Sequence, residues 1–133
     1  MTQTQPNTPE ADALRAALVY HSGSETLHRV NRLTPNFLVT DGVKDMAERA
    51  GAFWFCDLVA SHALAIVARD HFASLTLEVS DQHTAQFTAT DGREPPTVYA
   101  SQHIPYTDFP CGAWKFYLSS DGSNTVLMLP GEY

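Results

Sequence analysis

Cations are scarce in the second half of this sequence. Residues 70–133 hold two, Arg93 and Lys115, against eight carboxylates, and the chain of 133 residues carries a formal charge of −7. Nucleic-acid affinity comes mainly from Lys and Arg against phosphate, so direct nucleic-acid binding is not expected. Cysteine is equally sparse. Cys56 and Cys111 stand far apart, with no CxxC pair and no spacing that would staple a small secreted scaffold. The phosphate- and nucleophile-bearing motifs GxGxxG, GxxxxGK[ST] and GxSxG are absent, and the six histidines form no HxH or HExxH. No metal and no cofactor is therefore expected. There are no internal repeats, linkers or low-complexity tracts.

The N-terminus has neither a basic nor an apolar region of the kind a secretory leader needs, so a cytoplasmic location is expected. One apolar stretch, Ala50 to Ala68, approaches the length of a membrane span. It holds Asp57 near its centre, with Ser61 and His62 beyond. A central Asp costs about 2.5–3.5 kcal/mol on insertion, which so alanine-rich a segment barely offsets. The stretch reads as a buried core helix, and no membrane association is expected.

What the sequence does hold is a globular balance, 44% hydrophobic against 17% charged, on a chain long enough for one core. Residues 1–7 are polar and read as a disordered tail, leaving 8–133 as a single α+β domain. Thr8-Pro9-Glu10 starts a short N-terminal helix, with Thr as N-cap and Pro at the first helical position. Ser22-Gly23-Ser24 ends it. His28 to Arg32 is a small basic spot, a solvated loop or a local counter-charge. Phe37-Leu38-Val39 reads as a packed extended segment. Thr40 or Asp41 caps the main helix, which continues toward residue 70 with a break expected near Ser61-His62. On that single helix, Val43, Met46, Ala47, Ala50, Trp54, Asp57 and Leu58 share one face.

After His71 the period changes to two. Leu75, Leu77 and Val79 alternate with polar residues, as do Ala85, Phe87 and Ala89, and then Trp114, Phe116 and Leu118. With Thr97–Ile104 and Thr125–Leu129, these strands predict an antiparallel meander of four to five strands packed on the central helix. Asp121 to Asn124 is a hairpin loop.

Four phrases in this order carry a resemblance: Thr40-Asp41-Gly42, Ala50-Gly51-Ala52-Phe53-Trp54, Ile104 to Pro110, and the ending Leu129-Pro130-Gly131-Glu132-Tyr133. Together they resemble an uncharacterised family of short bacterial proteins, often borne by phages and plasmids and classed as a domain of unknown function. The resemblance implies no activity. It implies a mobile-element setting, in which small proteins often bind host or defence proteins.

Among single residues, Asp57 stands out as a carboxylate on an apolar face. It is either an acid or base with a raised pKa or a structural acceptor of hydrogen bonds. Tyr106, Thr107 and Asp108 lie between strands, flanked by His103 and Cys111. They either point into a site or form a wide turn in which Thr107 or Asp108 caps backbone and Phe109 plugs the core. Tyr99 and Tyr117 are expected on the outer face of the sheet, and with Tyr133 they suit a protein interface. The leading expectation is a non-enzymatic binding module for a host or defence protein, a basic one suiting it, acting through an acidic, aromatic sheet surface. The alternatives are a small hydrolase or transferase using Asp57 or Asp108, and a homo-oligomer joined through a sheet edge.

Overall fold

The structure, a computed structural model, describes residues 9–18, 26–30 and 33–132. The expected tail 1–7, the Ser22-Gly23-Ser24 stop and Tyr133 lie outside the described residues. Helix α1 spans Pro9–Leu18, with Pro9 at its first position as its fixed φ favours. Strands β1 (Leu27–Arg29) and β2 (Phe37–Thr40) follow, then helices α2 (Asp41–Ala50) and α3 (Phe53–Val67). Strands β3 (Phe72–Val79), β4 (Ala85–Thr90), β5 (Val98–Ile104), β6 (Gly112–Ser120) and β7 (Thr125–Met128) complete the sheet, and a short 3₁₀ turn covers Pro130–Glu132.

The class is α+β, as the sequence predicts. Among the described residues the sheet is larger than expected: seven strands in the order β1-β2-β7-β6-β3-β4-β5. It is not a plain meander. After the hairpins β3-β4-β5 the chain returns to lay β6 beside β3, a Greek-key return. The sheet is also mixed, because β7 pairs antiparallel with β6 but parallel with β2. Strand β7 thus fills the slot between β2 and β6, and the connection through α2 and α3 passes both β7 and β6 to reach β3.

The helical break falls at Gly51, not at Ser61-His62. Gly51 adopts φ +62, a left-handed C-cap that L side chains rarely take, and its N–H bonds Ala47 O. This break resets the helical phase. On α3 the buried residues are Phe55, Cys56, Val59, Ala60, Ala63 and Ile66. Asp57 falls on the opposite side and is exposed. The apolar face expected for Asp57 holds only on one continuous helix, and the break at Gly51 removes it.

The core is one cluster between the helices and one sheet face. Fully buried Phe55 stands at its centre, with ring centroids 4.7 Å from Phe116 and 6.1 Å from Phe87. Along β6, Trp114, Phe116 and Leu118 point inward, as their alternation requires.

The start of α2 is tied to the chain's end. Thr40 is the N-cap, its hydroxyl oxygen accepting from Val43 N–H. That hydroxyl donates to Glu132 Oε1 at 2.6 Å, and Leu129 N–H donates to the same oxygen at 3.1 Å. Gly42 N–H donates to Glu132 Oε2 at 3.0 Å. A carboxylate at a helix N-terminus is favoured by the unpaired amides and the helix dipole. His28, on β1, sits within hydrogen-bond distance, 2.7 Å, of Asp41 at the same helix start, so part of the basic spot packs on this helix.

A Cβ built on Gly42 would lie 2.6 Å from both Glu132 Oε1 and Leu129 Cδ1. Alanine elsewhere in a helix stabilises by roughly 0.5–1 kcal/mol relative to glycine. At Gly42 it must displace a carboxylate held by three donors, so Gly42→Ala is expected to destabilise by about 1–3 kcal/mol in urea unfolding. In a Glu132→Ala background that cost should shrink, and the double-mutant cycle measures the coupling.

Candidate functional site

The Greek-key return carries residues 105–111 across one end of the sheet, from the β5 edge back to β6. There it passes over the β3–β4 turn, where Thr107 N–H bonds His83 O at 2.8 Å. Between this segment, α1 and the end of α2 opens a cleft of about 610 Å³. A smaller cavity of about 200 Å³ adjoins it and shares Ala50, Asp108 and Phe109 with it.

The floor of the cleft is built by the turn itself. Phe109 is buried and meets Trp114 edge-on, with centroids 5.3 Å apart, and Trp114 Nε1–H donates to Pro110 O at 2.9 Å. Thr107 is buried too, and its hydroxyl accepts from Phe109 N–H at 3.0 Å. Thr107 is therefore the residue that caps the turn. Asp108 is left exposed at the mouth of both cavities.

Opposite stands the β3–β4 turn. Ser80 Oγ organises it, lying 2.8 Å from Thr84 Oγ1 and accepting from Gln82 and Thr84 N–H. Among the described residues, His83 is the non-glycine residue with positive φ, at 65°. A hairpin position of this kind favours glycine, so the strain is carried at the cleft's rim. The His83 ring sits 5.7 Å from that of Tyr106, which is 68% exposed. Asp81 stands exposed on the same turn.

Two nearby cations are engaged elsewhere. Arg49 Nε donates to Asp45 at 2.9 Å, one turn back on α2. Arg15 lies 4.1 Å over the Trp114 ring and donates to Ala113 O at 3.1 Å. Among the described residues neither Asp81 nor Asp108 meets a cation. The rim thus presents two carboxylates, an imidazole and an exposed phenol above an apolar floor. Among the described residues no three His, Cys, Asp or Glu side chains converge as metal ligands.

Of the candidate residues, the structure brings together Tyr106, Thr107 and Asp108. Asp57 projects from the far side of α3. Tyr99 does not join the open outer face as expected. It sits where a bulge shifts the β4–β5 register, its hydroxyl donates to Asp70 at 2.8 Å, and Arg69 lies 5.0 Å over its ring. Tyr117 is on the outer face, half-buried against Phe72 and Lys115. Asp81, His83 and Arg49 are not among the residues that the sequence singles out. The absence of glycine from so tight a turn was the available signal.

The two thiols differ sharply. Burial, reinforced by the neighbouring Asp57 carboxylate, pushes the Cys56 thiol up to about 12. Cys111 is only half-buried and lines the cleft. A maleimide at pH 8 is expected to label one thiol quickly in the native protein, and Cys111→Ser should abolish that phase; rapid labelling of Cys56 would contradict this geometry.

The Tyr99 hydroxyl, followed by Phe72 N–H, holds the Asp70 carboxyl below its ordinary range. A depressed carboxyl stabilises the fold above its unfolded pKa and loses that contribution as pH falls through its folded value. Tyr99→Phe is therefore expected to lower thermal stability at pH 7, with the gap to wild type closing on acidification. A gap that widens in acid would contradict it.

Among the described residues no helix is long and apolar enough to cross a membrane. Neither the curated proteins nor the solved structures yield a match to this chain. Residues 12–133 match a family of unknown function, DUF6876, and the chain therefore belongs to that family.

Proposed function

We propose that the protein is a non-enzymatic binding module whose contact surface is the mouth of this cleft. The observation that carries the reading is Tyr106, largely exposed beside Asp108 and across from Asp81, above the apolar floor of Phe109. A tyrosine offers a rigid apolar ring with a hydrogen-bonding tip, the profile of an interface anchor. The two carboxylates favour a basic segment, whose Lys or Arg stem would lie along the rings while its charge meets the acids. The mobile-element setting implied by the sequence resemblance makes a host or defence protein the partner class to test. The outer face with Tyr117 plays no part in this surface, which narrows the acidic, aromatic sheet surface to one end.

One observation favours a second reading, acid–base chemistry on a small substrate. His83 is held in a strained conformation in the same cleft as Asp108. Asp57 is not part of it, lining neither cavity.

Capture of tagged protein from host lysate at low and moderate salt, read by mass spectrometry, tests the first reading. The expected result is one dominant partner, released by salt. Binding should weaken about tenfold or more in Tyr106→Ala and fall further with Asp81→Asn and Asp108→Asn. The bound partner should also protect Cys111 from maleimide. Unchanged affinity in the triple variant would overturn the surface. Loss of biological effect in Asp108→Asn with partner capture intact would favour the chemical reading.

A further inference from the structure

The two edges of the sheet are not alike. Strand β1 is three residues long and carries His28 and Arg29. Strand β5 runs for seven residues, Val98–Ile104, with no proline and no Asp, Glu, Lys or Arg among them. Among the described residues its sheet neighbour is β4 alone. Val98, Ser101, Gln102 and His103 are exposed. Every second residue of such a strand turns its N–H and C=O away from the sheet, a template for another strand unless charge, proline or a cover blunts it. The bulge at Ala89/Thr90 disturbs only the first residues of β5, and Ala100–Ile104 keeps regular register with Ala85–Ala89.

A second feature borders this edge. His62 of α3 stacks on Phe87 at 5.6 Å, and its Nε2 lies 2.8 Å from Gln102 Oε1. This contact places one stripe of α3, Trp54, Leu58, His62 and Ala65, above the border of the sheet. Trp54 and Leu58 are only partly buried, and Ala65 is exposed. The stripe, like the strand, holds no Asp, Glu, Lys or Arg.

We infer that β5 is a self-pairing edge, along which two copies of this chain join antiparallel about a two-fold axis near Gln102. The register is self-complementary. Ala100 meets the partner's Ile104 on the helix side, small against large, beneath the two neutral stripes of α3. Ser101 meets the partner's His103 on the outer face, and Gln102 meets its own counterpart. Charge selects the occupant. Two chains of −7 repel wherever their carboxylates face, and the segment that pairs, Ala100–Ile104, is uncharged, as is the stripe from Trp54 to Ala65. Arg69 and Asp70, one charge of each sign, meet β5 at Tyr99, ahead of that segment. The cleft lies at the end of the sheet, so this contact is independent of the proposed binding surface.

Sedimentation velocity on the full chain, up to about 100 μM, tests the pairing. The expected species is a closed dimer, because an isologous two-fold contact uses up both edges. Added salt should strengthen it by screening like charge, the opposite of its expected effect on a basic partner. The double variant S101K/H103K sets lysine against lysine twice and should weaken self-association about tenfold or more. If circular dichroism shows that variant misfolded, Ala65→Glu on the exposed stripe replaces it, with the same expected loss. Leu64, 84% exposed on the other flank of α3, is the control, and Leu64→Glu should leave the dimer intact. A monomer at every concentration and salt, a dimer untouched by the edge variants, or a dimer broken by Leu64→Glu would each overturn the inference.

Discussion

One carboxylate ties the last turn of the described fold to the start of its central helices. Glu132 takes the Gly42 amide, the Thr40 hydroxyl and the Leu129 amide, and so joins the segment after β7 to the junction of β2 and α2. Hydrogen bonds to a charged acceptor are worth about 1.5–3 kcal/mol each, against a total stability of about 5–15 kcal/mol for a domain. The contact demands glycine at position 42, because a Cβ would enter the space the carboxylate occupies. It also explains how a four-residue strand at the end of the chain keeps a central place. Strand β7 is held by β6 on one side, by β2 on the other, and by this cap beyond its end.

From that anchor the remaining geometry follows in order. The seat of α2 fixes where its last turn ends, and the left-handed turn at Gly51 then launches α3 across the sheet. Arg49, Ala50 and Gly51 become one wall of the cleft. The opposite wall exists because the chain must travel from β5 back to β6. That return is seated on the β3–β4 turn by Thr107 and plugged into the core by Phe109. Fold and site are thus one constraint, and the exposed residues Tyr106 and Asp108 are presented by a turn whose neighbours are buried.

Local features were legible in the sequence. Pro9 started α1, the alternation of Trp114, Phe116 and Leu118 assigned the inner face of β6, and Asp121 to Asn124 formed its hairpin, with Asp121 accepting from Ser123 and Asn124 N–H. Non-local features were not legible. The parallel β2–β7 pair joins segments far apart in sequence, and β2 is too short to show a period. The helix break turned on whether Gly51 or Ser61-His62 interrupted an apolar run, a choice made by tertiary packing. Because a break resets the phase, that single error moved Asp57 from outside to inside. Of the two readings of Tyr106, Thr107 and Asp108, the structure shows the turn: Thr107 and Phe109 build it, and Asp108 and Tyr106 are exposed. Glu132 stands out in the sequence only as part of a phrase, since two of its three donors lie some ninety residues earlier.

The most direct test of this account is residue-resolved amide hydrogen exchange on Glu132→Gln. The substitution keeps size but turns an NH₂ group toward at least one of the three donors. The account requires protection to fall first at Gly42 and Val43 and along β2–β7, while β3, β4 and β5 keep theirs. Unchanged protection at Gly42, or a uniform loss across the whole sheet, would contradict it.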